Sequence, residues 1–348
     1  MGGKLREYFD LVQRTAKNPA NKPVARQLVE LVALFVRSRL GPGYYFKAQM
    51  CSRNYAFSEV MGFLSLRQYK RQVYRLNNRL YHKCSQNKSI EKAILSTYGI
   101  PTPELLGHFH GVRGLTVQGE MFRTKAQLQE LLYQQSVGNK LCFKLIDGWG
   151  GMGFRAIECL PEKRFLDLQR QEESSFDEFF QSLCNPEKDG LIVERYLEQH
   201  PAFASFNTSS VNTCRVLLRV KGDDVICLSV YLRVGRTGSL VDNSASGGVI
   251  FPIDKMTGTM SQGFTKHDRG SFYDAHPDSG VRMSGKKLPC FDEGMTLAKK
   301  AILAFPNINF AGIDVAFSTD GPVILEINIQ PDYNDFADTS LPSRKALM

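Results

Sequence analysis

The sequence predicts an α+β protein with largely antiparallel sheet content, preceded by a basic helical segment. Three observations carry this. Residues 5–86 place apolar side chains at helical spacing, and beyond residue 87 short β-branched and aromatic runs alternate with helical stretches. The charge divides at nearly the same place: residues 1–100 hold 18 Lys or Arg against 5 Asp or Glu, whereas the other 248 residues hold 26 against 30. At 348 residues and 43% hydrophobic content, the chain can bury a full core shared among two or three lobes.

In chain order, Leu28, Leu31, Val32 and Phe35 follow the i, i+3, i+4, i+7 rule behind the start signal Asn21-Lys22-Pro23, so this helix is expected to press that face against a core. GPGYYF (41–46) reads as a loop, and Arg67–Leu80 as a further helix with Arg and Lys on its outer face. Residues 1–86 thus form a basic helical lobe. A helix from Ser89 to Thr97 stops at Tyr98-Gly99, and the two prolines of IPTPE enforce an extended segment. LCFKLI, FRAIECL, LIVERYL, CRVLLRV, VICLSVYLRV, INFAGIDVAF and PVILEINI read as strands, with helices at Leu128–Gln135, Phe176–Leu183 and Gly294–Phe305. The expected divisions after the lobe are 87–140, 141–195 around a glycine-rich loop, and 196–348.

Several classes are excluded. The longest apolar stretch, LVELVALFV, is broken by Glu30 and far shorter than the roughly 20 residues a bilayer-spanning helix needs. The N-terminus lacks a signal-peptide run and has Arg6 where a myristoylation signal wants Ser or Thr, so a cytoplasmic location is expected. Eight cysteines without a CxxC pair read as buried, reduced thiols. The basic excess reads either as solvated helix faces or as a surface that meets an anionic membrane or polyanion. The aromatics there form no stacking platform, so nucleic acid is not an expected partner.

Residues 148–153, GWGGMG, match GxGxxG formally, but FRAIECL follows as a strand where a dinucleotide fold needs a helix, and no Gly-Lys-Ser/Thr closes a Walker A loop. A glycine-rich hairpin between strands is a third solution, its backbone N–H groups closing over phosphates while Lys144 neutralises them. The alternative is a plain glycine turn beside a surface lysine.

Near the C-terminus two apolar strands flank Ser318-Thr319-Asp320-Gly321. A three-residue loop with Gly321 in the left-handed region would pair Asp314 with Glu326, and Glu326 shares a sheet face with Asn328. A carboxylate opposite a carboxylate is unfavourable without a cation between them, and hard Mg²⁺ takes oxygen ligands. Solvated carboxylates on an exposed face are the alternative, against which stand the apolar neighbours Ile313, Val315, Ile324, Leu325 and Ile327.

A Lys on a strand, a glycine-rich hairpin, the linker LIVERYLEQH and a final Asp…Glu-x-Asn hairpin occur in this order, and the chain resembles the ATP-grasp superfamily from Asn87 to about Asp332. LGPGYYF, EQHPAFASFNTSSVNTCRV, VDNSASGGVIFPID and HPDSG are similar to the sugar-transfer-associated branch. The resemblance implies ATP held between two α+β subdomains. Lys88 and Lys144 would meet phosphates and Gly150, Gly151, Met152 and Gly153 would form the lid. Glu194, Tyr196 and Leu197 would line the adenine, and Asp314, Glu326 and Asn328 would bind Mg²⁺. It also points to Arg215, Arg233 and Asn243, in TxR and NxxxGG, around the γ-phosphate and acyl group. Pro331-Asp332 departs from the usual Pro-Gly, and the ribose contact has no clean match among Glu198, Gln199 and His200.

The implied reaction is an ADP-forming carboxylate–amine ligation through an acyl phosphate, joining a small carboxylate to an amine or sugar-linked acceptor in saccharide or cell-surface glycan biosynthesis. The rivals are a kinase acting on a sugar-type hydroxyl and a non-catalytic nucleotide-binding partner of glycan-assembly enzymes. Six histidines yield no nucleophilic triad; His267 and His276 read either as acceptor contacts or as surface or capping residues.

Overall fold

Why the N-terminal helices pack as they do is decided by a buried acid. In the computed structural model, which describes residues 2–148, 150–266 and 271–348, the helix Val24–Ser38 buries Gln27, Glu30, Leu34 and Ser38. Lys22 Nζ lies 2.9 Å from Glu30 Oε2, Arg26 Nε donates to Oε1 at 3.0 Å, and the Tyr45 hydroxyl donates to Oε2 at 2.8 Å. A buried carboxylate is tolerated when so partnered, and this cluster rotates the helix. The apolar set Leu28, Val32 and Phe35, expected on a core, is exposed instead.

GPGYYF also departs from expectation. Pro42–Lys47 is a short helix, with Gly41 extended at its cap and Pro42 at the first helical position, where its missing N–H costs nothing. The helix expected over Arg67–Leu80 spans Leu66–Leu76, begun by a Ser65/Gln68 capping box. It ends because Asn77 is fully buried and spends its side chain on the sheet, donating to the Phe310 and Ile329 carbonyls at 2.7 Å each and accepting from the Asn309 and Phe310 N–H groups at 2.9 Å.

Two antiparallel sheets follow. The first comprises β1 (Leu105–Phe109), β2 (Leu115–Thr116), β3 (Lys140–Leu145), β4 (Arg155–Cys159), β5 (Phe165–Asp167), β6 (Glu172–Ser174) and β7 (Leu191–Arg195), in the order β2-β1-β7-β3-β4-β5-β6. Leu141, Phe143, Ile157 and Val193 pack one of its faces against the helices Lys125–Tyr133 and Phe176–Ser182. The second comprises β8 (Thr213–Lys221), β9 (Asp224–Val234), β10 (Val249–Ile253), β11 (Phe264–Thr265), β12 (Phe310–Ser318) and β13 (Gly321–Asn328), in the order β11-β10-β9-β8-β12-β13. β1, β2, β5, β6, β10 and β11 were not among the expected strands.

Strand alternation gives the second sheet two different faces. Val216, Leu218, Ile313 and Val315 pack against the helix Phe291–Leu303. Leu217 and Phe310 on the opposite face pack under the N-terminal helices and the C-terminal segment, with Tyr45, Phe63, Tyr69 and Phe336. Arg215, two residues from Leu217, points to that same side, and there the apolar packing gives way to charge.

The eight cysteines are free, and Cys51, Cys142, Cys159 and Cys214 are buried, whereas Cys184 is exposed. Among the described residues no helix is long and apolar enough to cross a membrane.

Candidate functional site

Both sheets line one cavity of about 560 Å³, a size ordinary for a small-molecule site. On the first sheet, β3 and β7 pair so that Cys142 opposes Glu194 and Lys144 opposes Ile192. Glu194 is fully buried, its carboxylate 2.7 Å from Lys144 Nζ and also ion-paired with Lys92 of the helix Lys88–Thr97. Burial alone would raise the Glu194 carboxyl, but the two ammonium groups outweigh it and hold it below the usual range. Burial likewise works against a charged Lys144, and the Glu194 carboxylate overcomes this, keeping the ammonium above its ordinary value. Glu194, expected at the adenine, lines the cavity and is also the counter-ion that fixes two lysines. Lys88 stands beside them, its Nζ donating to the Gly148 carbonyl at 2.6 Å and lying 3.4 Å from Glu326 Oε1.

On the second sheet the registers bring Glu326, Asp314, Arg215 and Tyr231 into one row across β13, β12, β8 and β9. Asp314 does oppose Glu326, but by a different route from the one expected. Ser318 pairs with Gly321 around a two-residue turn, and Leu325 bulges between Glu326 and Ile324, which restores the pairing. Gly321 has φ 123°, outside the left-handed helical region expected of it.

Asp314 is buried and engaged from several sides. Arg215 clasps it through Nε and through Nη2 at 3.0 Å, Arg233 Nη2 lies 3.0 Å away, and the Asn328 amide donates to it at 3.4 Å. Burial would raise its carboxyl, yet the two guanidinium groups hold it below the usual range. Arg215 also meets Asp335 at 3.4 Å, and the Tyr231 hydroxyl donates to Asp335 at 2.9 Å. Arg233 donates to Thr213 Oγ1 and lies 3.3 Å from Asp242, whose carboxylate accepts from the Thr213 backbone N–H at 3.0 Å. Each arginine is thereby locked in one orientation.

The glycine loop closes the space between the sheets. Gly150, Gly151 and Gly153 have φ of 64°, 77° and 68°, a region that favours glycine. A Cβ on Gly151 would stand 3.0 Å from Val241 Cγ1, and the Asn243 amide donates to the Gly150 carbonyl at 3.2 Å. Met152 is exposed at the cavity wall, while Gly153 turns away and packs on Leu145. Trp149 lies outside the described residues.

Tyr196 and Leu197, just past β7, line the cavity, and burial pushes the Tyr196 hydroxyl up to about 12. Of the residues singled out in the sequence, Lys88, Lys144, Gly150, Gly151, Met152, Glu194, Tyr196, Leu197, Arg215, Arg233, Asn243, Asp314, Glu326 and Asn328 all border this cavity. His276 does not. It is buried, and its Nδ1 accepts from the Ser279 N–H within its own turn; His267 lies outside the described residues.

Sequence reasoning missed Lys92, Tyr231, Asp242 and Asp335. Lys92 follows Lys88 by one helical turn and Tyr231 precedes Arg233 by two strand positions, so periodicity could have found both. Asp242 enters from an irregular segment and Asp335 from the four-residue helix Asp335–Asp338, too short to carry a periodic signal. Lys266 and Asp332, paired at 3.0 Å, line the same cavity.

Among the described residues no cluster of three or more His, Cys, Asp or Glu side chains is grouped to hold a metal. Asp314, Glu326 and Asn328 nevertheless offer hard oxygen donors on one face, a donor set that fits Mg²⁺.

The profile of the sugar-transfer-associated ATP-grasp family matches residues 67–341. The chain belongs to that family. Its two antiparallel α+β halves are accordingly those of an ATP-grasp fold. No curated protein matches the chain by sequence. Among solved structures it is similar to N5-carboxyaminoimidazole synthase from Aspergillus clavatus in complex with ADP, at 15% identity and TM-score 0.40, over 80% of this chain and 58% of that one. It is also similar to an L-amino acid ligase from Bacillus licheniformis, at 12% and 0.42 over 76% and 48%. For D-alanine–D-alanine ligase from Bacillus anthracis the values are 14% and 0.38 over 78% and 72%. The chain thus spans about half the length of the first two.

Proposed function

We propose that this ATP-grasp chain is an ADP-forming ligase that activates a carboxylate with ATP and passes the acyl group to an amine. The supporting observation is the two-sidedness of the cavity: lysines and glycine amides on one wall, and arginines with oxygen donors on the other. Lys88 and Lys144 would neutralise the phosphates, and the glycine loop would close over them. Tyr196 and Leu197 would meet the adenine. Asp314, Glu326 and Asn328 would hold Mg²⁺, which supplies charge neutralisation for the phosphates in such a site.

A substrate carboxylate oxygen then attacks the γ-phosphorus, the bond to the β–γ bridging oxygen breaks, and ADP departs. Arg215 and Arg233, oriented by Asp314, Asp335 and Asp242, stabilise charge on the transferred group without having to reorganise. The amine nitrogen next attacks the acyl carbon, expels phosphate and loses a proton. Positioning and electrostatics suffice, with no protein nucleophile.

The acceptor is proposed to be an amine or sugar-linked group, and the setting cytoplasmic saccharide or cell-surface glycan assembly. That part rests on the family's description alone. Phosphorus NMR of reactions with ATP and candidate carboxylates and amines tests the chemistry. ADP and free phosphate formed only when carboxylate and amine are both present support a ligase. Phosphate retained on a hydroxyl, or AMP with pyrophosphate, overturns it.

A further inference from the structure

The helix Val24–Ser38 carries its widest apolar stripe on the side turned away from the protein. Leu28, Val29, Val32, Phe35 and Val36 are all exposed, Val32 at 66% and Val36 at 70%. At about 100° per residue these five fall within an arc of roughly 120°, nearly opposite the buried Gln27–Glu30–Leu34–Ser38 face. Packing cannot account for them, because the core contacts of this helix are made by the other face. A contiguous apolar stripe of this kind marks a surface that becomes covered.

Charge decides between coverings. The described exposed charged side chains of the first helix and the turn after it are Arg6, Arg14 and Lys17 against Glu7 and Asp10, and Arg37 and Arg39 close the end of the second. Glu30, the single acid of the second helix, is buried and neutralised by Lys22 and Arg26. The Arg39 guanidinium lies 5.3 Å from the centre of the Phe35 ring, at the edge of the stripe. Such an arginine can keep its head among anionic groups while the ring below it sinks into an apolar phase. Two parallel copies meeting stripe to stripe would set Arg37 and Arg39 against themselves, and two antiparallel copies would still leave the net positive charge of this face uncompensated, since Glu7 and Asp10 are outnumbered. An anionic lipid surface supplies both apolar depth and negative charge.

We propose that the helix Val24–Ser38 is an interfacial anchor that lies along an anionic lipid surface, with Leu28, Val29, Val32, Phe35 and Val36 below the headgroups and Arg37 and Arg39 among the phosphates. This inference does not depend on the chemistry proposed for the cavity.

Co-sedimentation of the full chain with phosphatidylcholine vesicles, with and without 30% phosphatidylglycerol, tests it. The expected result is at least tenfold stronger binding to the anionic vesicles, weakening as salt is raised. Val32→Asp with Phe35→Asp should lower that binding by more than tenfold while leaving the thermal midpoint unchanged, since both positions are exposed. Arg37→Glu should lower it about fivefold or more. Equal binding to neutral vesicles, no binding, or binding indifferent to the double variant overturns the proposal. So does a concentration-dependent dimer in sedimentation velocity that the double variant abolishes, which would assign the stripe to a second copy.

Discussion

The two walls of the cavity handle buried charge in opposite ways. Along the first sheet Lys92 and Lys144 pair with a single fully buried acid, Glu194, while Lys88 reaches across to Glu326, leaving a surplus of positive charge on that wall. On the second, Arg215 and Arg233 are set among Asp242, Asp314 and Asp335, with Glu326 beside them, leaving a surplus of negative charge. Phosphate oxygens are attracted to the first imbalance and a divalent cation to the second. The metal-bearing triphosphate proposed above would satisfy both imbalances at once, and between the walls Lys88 lies 3.4 Å from Glu326.

That contrast can be broken most severely at its anchor. Glu194→Gln would leave buried Lys92 and half-buried Lys144 without their shared counter-charge and should cost about 3 kcal/mol, measured by urea unfolding. The folded-state carboxyl of Glu194 lies below its ordinary value. Its contribution is therefore full above the unfolded value of roughly 4.3 and fades as pH falls through the lower folded value. The variant should accordingly show a flatter acid limb in stability against pH; an unchanged limb would mean that Glu194 is not the counter-ion.

On the opposite wall, Glu326→Gln removes the charge of a half-buried side chain proposed to hold Mg²⁺. It should reduce kcat by roughly 10²–10³ while shifting stability by under about 0.5 kcal/mol. Retained turnover in an ATPase assay would remove Glu326 from the site. The smallest effect is expected where the walls touch. Gly151→Ala places a Cβ against Val241 at a φ that L-residues rarely adopt. It should cost about 1 kcal/mol, read as a several-fold rise in KM for ATP with kcat nearly preserved.

Much of this site was legible because its residues lie in regular strands. Asp314, Glu326 and Asn328 could be put on one face from alternation, although the turn was misjudged and the Leu325 bulge made up the difference. Asp242 and Asp335 were not legible, since an irregular segment and a four-residue helix give no periodicity to count. The N-terminal helix failed for a different reason. Its apolar spacing was read correctly, but which face turns inward is fixed by Glu30, whose partners Lys22, Arg26 and Tyr45 lie 8, 4 and 15 positions away. Arg26, one turn away, is a local signal, but nothing local announces that Lys22 and Tyr45 will close on the same acid. Strands of two or three residues, such as β2, β5 and β11, are too short to alternate visibly.

Asn77 gives the helical region its permanence. By closing four hydrogen bonds to backbone groups at the start of β12 and just beyond the end of β13, it acts as a rivet between the first eighty residues and the two strands that carry Asp314 and Glu326. Trimming the chain back to its two sheets would unfasten those strand ends and strip the cover from Leu217 and Phe310. The helical region is therefore no detachable appendage: in gene fusions or shortened chains it has to travel with the second sheet as one inheritance.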